Sequence, residues 1–286
     1  MGLVMDLTQA LPDVIAGYGL ITSPFGGVFR FDFALAMVFL LVVDYAAQRA
    51  ARAIGAPMDW TYVLYILASA AAVIVGIVVH ESAHALAAYL LGDRTARSRG
   101  RISLNPMRHI DPFGTVLLPL LMIAAGGPVF AFAKPVPVYL GNLKHPKRDE
   151  VLVSLAGPAS NVVLAVLGAV VLRVAADNAF AVASVLGAAA TGAVASFCLQ
   201  FIAVNLSLAF FNLIPLPPLD GSSILVLFLK GRALDRYYEV QRYAMPILIV
   251  VLYVLPTVFG IDLLGMYFDV TLQPVYRLLV RFALGW

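Results

Sequence analysis

Charge is what this sequence has least of. Asp, Glu, Lys and Arg make up 12% of its 286 residues, about half their usual share in a soluble domain. Hydrophobic residues reach 62% and mean hydropathy is +0.94. A soluble chain of this length could not hide so much apolar surface. The single cysteine, Cys198, excludes an intrachain disulfide and reads as a small packing residue. No polar stretch is long enough for a folded soluble module, and no internal repeat or low-complexity tract is present. The N-terminus has Asp6 and Asp13 where a basic region would open a signal peptide, so no cleaved leader is expected. Net charge is only +3 and the basic residues sit in loops, which excludes a nucleic-acid-binding face.

What is present is a series of apolar segments, and these imply an all-α polytopic membrane protein with about five to six transmembrane helices. Residues 31–47, 61–91, 152–176, 179–211 and 245–264 are the candidate spans. The fourth is too long for one simple helix, and Gly187 and Gly192 mark where an interfacial piece would end. Gly157-Pro158 interrupts the third early, and residues 267–286 read as an interfacial amphipathic tail. Residues 113–133 are apolar enough to cross but contain Pro119 and Gly126-Gly127-Pro128. Arg94, Arg97, Arg99, Arg101 and Arg108 precede them, and Lys134, Lys144, Lys147 and Arg148 follow. By the positive-inside rule both flanks are cytoplasmic, which makes the segment a re-entrant hairpin. The alternative is a true span with one basic loop outside. The expected organisation is an N-terminal extension with one span (1–59), a catalytic membrane core (60–230), and a last span with its tail (231–286).

Two of the four histidines and one of the three glutamates fall together as His80-Glu81-Ser82-Ala83-His84. On a helix the two imidazoles share a face and can grip one Zn²⁺. Glu81, one step round, is placed to take a proton from water activated by that metal. Such groups are costly in hydrocarbon and mark a functional site. A third ligand must come from elsewhere, and the candidates are Asp111, Asp220, His109 and His145. Asp220 follows Pro215, Pro217 and Pro218, which must unwind a helix there. It is either a ligand turned into a cavity or an N-cap for the helix that follows. His109 and Asp111 read as loop-fixing residues, and His145 as a solvated one. Asn205, seven residues before Asn212, is either a helix–helix hydrogen bond or part of the site. The small residues Ala156 and Gly157 beside Asn161 read as a packing seam.

The chain resembles the site-2 protease family of intramembrane zinc metalloproteases. The likeness rests on HESAH (80–84) and NLIPLPPLDG (212–221), with GDRTA (92–96), GRISLNP (100–106), HIDP (109–112), KPVPV (134–138) and LAGP (155–158) in order between them. It covers about residues 68–230, matches the small prokaryotic type, and lacks a PDZ-like or nucleotide-binding module. The resemblance implies one zinc ion per chain on His80, His84 and Asp220, with Glu81 as base. It also implies that Asn212 holds the substrate backbone or the developing oxyanion. The partners it implies are a transmembrane protein substrate and the lipid bilayer, in a multi-pass cytoplasmic-membrane protein with its site toward the cytoplasm. A strand edge in 101–112 or 134–138 would hold the unwound substrate. The sequence specifies no oligomeric state. A cation channel or transporter would use the same residues as an ion path but usually shows internal pseudo-symmetry, and this chain has none. A catalytically silent membrane adaptor would not need the complete set of ligands and base.

Overall fold

The structure, a computed structural model, describes residues 60–109 and 136–285. The expected span at 31–47, the segment 113–133 and Asp111 lie outside the described residues. All regular structure within them is helical. Three helices are long and apolar enough to cross a bilayer: α1 (Trp60–Leu90, apolar over Leu67–Leu90), α2 (Pro146–Asp177) and α3 (Ala188–Asn212). Helix α1 has 31 residues, about 46 Å against a hydrocarbon core of about 30 Å, so it must tilt or project.

Each helix starts and stops for local reasons. Gly92, at φ +116°, ends α1. Its amide bonds Tyr89 O and that of Asp93 bonds Ala88 O, the paired closure that glycine permits after a last turn. Pro146 opens α2, where a missing N–H costs nothing, and the Asp149 carboxylate reaches back to the His145 amide at 2.8 Å. The expected interruption at Gly157-Pro158 does not occur: α2 runs through Pro158 as one helix. A buried proline removes one internal bond, and packing against neighbouring helices tolerates that loss at membrane depth. Gly187, at φ +83°, separates the short helix Ala179–Leu186 from α3, as its position predicts, while Gly192 lies within α3. After Asn212 the prolines unwind the chain until a short turn at Asp220–Ser223.

Small residues bring the helices together. Ser69, Val73, Gly76, His80 and His84 form one buried stripe on α1. On α2, Gly157 and Asn161 face this stripe, while Ala165, Gly168 and Leu172 are buried toward α3. A Cβ at Gly76 would stand 2.7 Å from Leu208 Cδ1, so a larger residue there would push the Leu208 side chain aside where α1 and α3 approach. Beyond α3, the short helix α4 (Arg232–Val240) docks by buried Tyr237, whose hydroxyl lies 3.1 Å from Ser222 Oγ. Helical structure then runs from Ala244 to Phe259 with a π-helical middle and stops at Gly260. Helix α5 (Leu263–Leu284) packs Leu272, Val280 and Ala283 against Ala165, Ala169 and Ile202 of α2 and α3. The tail expected to lie in the interface therefore has a partnered apolar face along the bundle.

The loop after α1 is fixed at both ends. Asp93 accepts from Thr95 N (3.0 Å), Asn142 Nδ2 (2.9 Å) and Tyr139 N (2.7 Å). Burial pushes its carboxyl up, but these bonds and that of the Thr95 hydroxyl outweigh burial and hold it down at about 2. Ser82 donates to Ser103 O at 2.6 Å, and His109 Nε2 sits 2.7 Å from the same oxygen. His109 is thus the loop-fixing residue its context suggests. No paired strand forms in the described parts of the expected edges, 101–109 and 136–138. Asn105 and Ser103 side chains instead fold the first of them into turns.

Candidate metal centre and family

Local geometry fixes the first two residues of the site. His80 and His84, one helical turn apart on the buried stripe of α1, point their Nε2 atoms toward each other at 3.0 Å. The broken chain after α3 brings Asp220 to both: its Oδ2 lies 3.1 Å from His80 Nε2 and 3.3 Å from His84 Nε2. The Asp220 side chain caps no helix; Leu219 holds the cap position of the following turn. Gly221 makes this bend possible, because a Cβ there would stand 2.8 Å from Ile214 O and closer still to Leu213 O. Those atoms are backbone and cannot turn aside.

The three atoms form a nearly equilateral triangle. Bonds of about 2.0–2.1 Å to a tetrahedral zinc place its ligands about 3.3–3.4 Å apart, close to what is seen. Proton positions make the same point. His84 Nδ1 lies 2.7 Å from Val153 O, which can only accept, so Nδ1 carries the hydrogen. His80 Nδ1 lies 2.6 Å from Asn161 Oδ1. With both rings neutral, their Nε2 atoms are then bare lone pairs facing each other and a carboxylate oxygen. Three acceptors converging without a hydrogen between them suit a bound cation, and the donor set suits zinc. Among the described residues this is the one group of three or more His, Cys, Asp or Glu side chains that could hold a metal. His145 is exposed and His109 is held in its loop, so neither joins it.

Glu81 is half-buried beside the pair, and its charge acts on His84 and on the buried guanidinium of Arg101. Burial lowers the Arg101 pKa from its usual value, and Glu81 opposes that shift. Asn212, at the end of α3, donates from Nδ2 to Leu208 O at 2.9 Å, and its amide makes no hydrogen bond to the three atoms of the cluster.

The description Peptidase family M50 matches residues 68–255, which contain the whole cluster. The chain belongs to peptidase family M50. Three relatives of this M50 peptidase are named as zinc metalloproteases. YwhC of Bacillus subtilis strain 168 is 40% identical over 183 residues, covering 64% of this chain and 78% of YwhC. Rip2 of Mycolicibacterium smegmatis is 32% identical over 224 residues, covering 75% and 79%. Rip2 of Mycobacterium tuberculosis is 32% identical over 187 residues, covering 65% and 66%. No solved structure matches the chain.

Three features of the candidate site escape a reading of the sequence. The carbonyl of Val153 leaves no mark in a sequence, because every residue has one. Gly157 reads as packing, yet a Cβ there would stand 2.6 Å from His80 Nε2 and closer still to His84 Nε2. Helix α2 therefore passes its bare backbone directly over the two imidazoles. Asn161 carries the one available signal, a carboxamide inside an apolar span.

Proposed function

We infer that this M50 peptidase is an intramembrane zinc metalloprotease that hydrolyses peptide bonds in or near transmembrane segments of other membrane proteins, with His80, His84 and Asp220 as its zinc ligands. The observation that carries the reading is the triangle of acceptors at tetrahedral spacing, two on the apolar helix α1 and the third brought to them by the broken chain after α3. When bound, zinc supplies Lewis acidity, bringing the pKa of a water toward about 7 and polarising a carbonyl. Glu81 takes the proton of the attacking water and returns it to the leaving amine. Asn212 has a second amide hydrogen beyond the one given to Leu208 O, available to a carbonyl oxygen where negative charge develops. A helical substrate must unwind first, because its amides are already hydrogen-bonded.

The membrane arrangement that goes with this reading has about five to six spans, with residues 113–133 re-entering beside the site. What supports re-entry is the Asp93 clamp: the chain leaving α1 and the chain arriving at Tyr139 and Asn142 are tied together at one end of the bundle. Lys147 Nζ, 2.8 Å from Leu229 O, adds the 229–236 segment with Lys230, Arg232 and Arg236 to the same end. The positive-inside rule, applied to the arginines after α1 and these basic residues, supports a cytoplasmic position for that end and for the site near it. The organisation is an extension with one span (1–59), the catalytic core (60–230), and a C-terminal part (231–286) whose last helix packs on the core.

Two variants of the purified chain and of cells carrying it test the assignment. Asp220→Ala is expected to lose most bound zinc while remaining folded. Glu81→Gln is expected to keep the metal and lose about 10²–10⁴ in cleavage rate, the usual contribution of acid–base help, so that uncleaved membrane proteins accumulate in the cells. Full zinc occupancy in the first variant refutes the ligand set, and cleavage at the parent rate in the second refutes the base.

A further inference from the structure

We propose that Asn161 is a positioning residue for the metal centre: it holds His80 with its ring proton on Nδ1, and Asn205 holds Asn161. The proposal rests on the reading of His80 as a zinc ligand. Both asparagines are fully buried, at 0% exposure, where the three spanning helices meet. Asn161 Oδ1 accepts from His80 Nδ1 at 2.6 Å. Its Nδ2 donates to Gly76 O at 3.1 Å and to Asn205 Oδ1 at 3.0 Å. Asn205 Nδ2 donates to Phe201 O at 2.9 Å. Exchanging the oxygen and nitrogen of Asn161 would set an oxygen against two acceptors, so the amide has one orientation and His80 Nδ1 must be a donor.

The bond matters because His80 has an alternative. With its proton on Nε2 it would donate to Asp220 Oδ2 at 3.1 Å and satisfy the cluster internally, leaving no lone pair for a metal. Asn161 removes that alternative by demanding the proton on the other nitrogen. The relay is anchored on main chain at both ends, at Gly76 of α1 and Phe201 of α3. His80 is therefore held by all three spanning helices at once. A Cβ at Gly76 would approach Asn205 Oδ1 to 3.1 Å, which ties the close approach of α1 to the same network.

Zinc affinity of the purified full chain, measured by competition with a chelator, gives one test. Nitrogen-15 NMR of labelled histidines in the metal-free parent gives a second that needs neither zinc nor activity. Asn161→Leu, close in volume but without an acceptor, is expected to weaken zinc binding by about 10–100-fold. Asn161→Asp, neutral in this buried site, keeps the acceptor and gives its O–H to Gly76 O or Asn205 Oδ1, and is expected to stay within about tenfold of the parent, whereas a packing role would make the buried acid the worse replacement. In the metal-free parent His80 is expected to carry its proton on Nδ1. Parent-like affinity in Asn161→Leu, weaker binding by the aspartate variant than by the leucine variant, or a proton on Nε2 of the parent's His80 overturns the proposal. A parent that binds no zinc, with His80 protonated on Nδ1, refutes the ligand assignment and leaves the network standing. If Asn161→Leu fails to fold, the spectrum of the parent still decides.

Discussion

Replacing Gly157 by alanine adds one methyl group at the most crowded point of the site. The new carbon would lie 2.6 Å from His80 Nε2 and Cε1, and closer to His84 Nε2. Heavy atoms in contact prefer about 3.5–4.0 Å, so the overlap is about 1 Å. The rings cannot swing away freely, because each is held at Nδ1 by a bond of 2.6 or 2.7 Å. Helix α2 cannot retreat without breaking the bonds of Asn161. A displacement of about 1 Å at the ring tips far exceeds the tolerance of about 0.2 Å in metal–ligand distances. Overpacking of this kind costs about 1–3 kcal/mol, which is about 5- to 150-fold in zinc affinity if the strain falls on the bound state. Helix propensity works the other way, since alanine is favoured over glycine by about 1 kcal/mol, so α2 itself should remain intact. The assay is zinc competition on purified Gly157→Ala beside Gly168→Ala, whose added carbon meets only Phe201 and Ile202 at 3.1 and 3.2 Å. The first variant should lose affinity and the second keep it. Equal affinity in Gly157→Ala and the parent would show that α2 does not pass over the imidazoles.

Two further expectations concern the loop end and the membrane. Asp93 is held at about 2 against an ordinary 3.8, so its contribution to stability is complete above about pH 4 and is lost as pH falls toward 2. The gap in melting temperature between the parent and Asp93→Asn should be constant near neutrality and close over that acid window; a gap unchanged at pH 2 would refute the clamp. Single cysteines at Arg97, Lys144, Asp177 and Arg236, introduced after replacing Cys198, can be labelled in intact cells with an impermeant thiol reagent. Only position 177 should react. Labelling at 97 but not at 144 would make residues 113–133 a true span.

What could be read in the sequence, and what could not, divides by distance along the chain. His80 and His84 are four residues apart, so helical geometry alone puts them on one face. Asp220 could be singled out as the acid beside a proline-broken helix, yet the choice between ligand and cap needed the fold, since 140 residues separate it from His80. Asn161 and His80 are 81 residues apart, and only the crossing of α1 and α2 joins them. Asn205 was legible as a polar residue facing inward, and its role as partner of Asn161 depends on that same crossing. Pro158 suggests a broken helix by its intrinsic preference, which its burial inside the bundle overrides. The tail over residues 267–286 has the amphipathic character of an interfacial helix, and its packing with Ala165 and Ile202 could not be anticipated from that pattern.

The two imidazoles are steadied by unlike means, and the difference bears on how the sequence of this enzyme can drift. His80 relies on a side chain, so any change of Asn161 that loses its acceptor reaches the ring directly. His84 relies on the main-chain oxygen of Val153. No single substitution at 153 deletes that oxygen, and only a change in the course of α2 would move it. Under random mutagenesis position 153 should therefore accept a range of apolar residues, while position 161 accepts almost none. One imidazole is exposed to every mutation of its support, and the other is shielded by the backbone that all residues share.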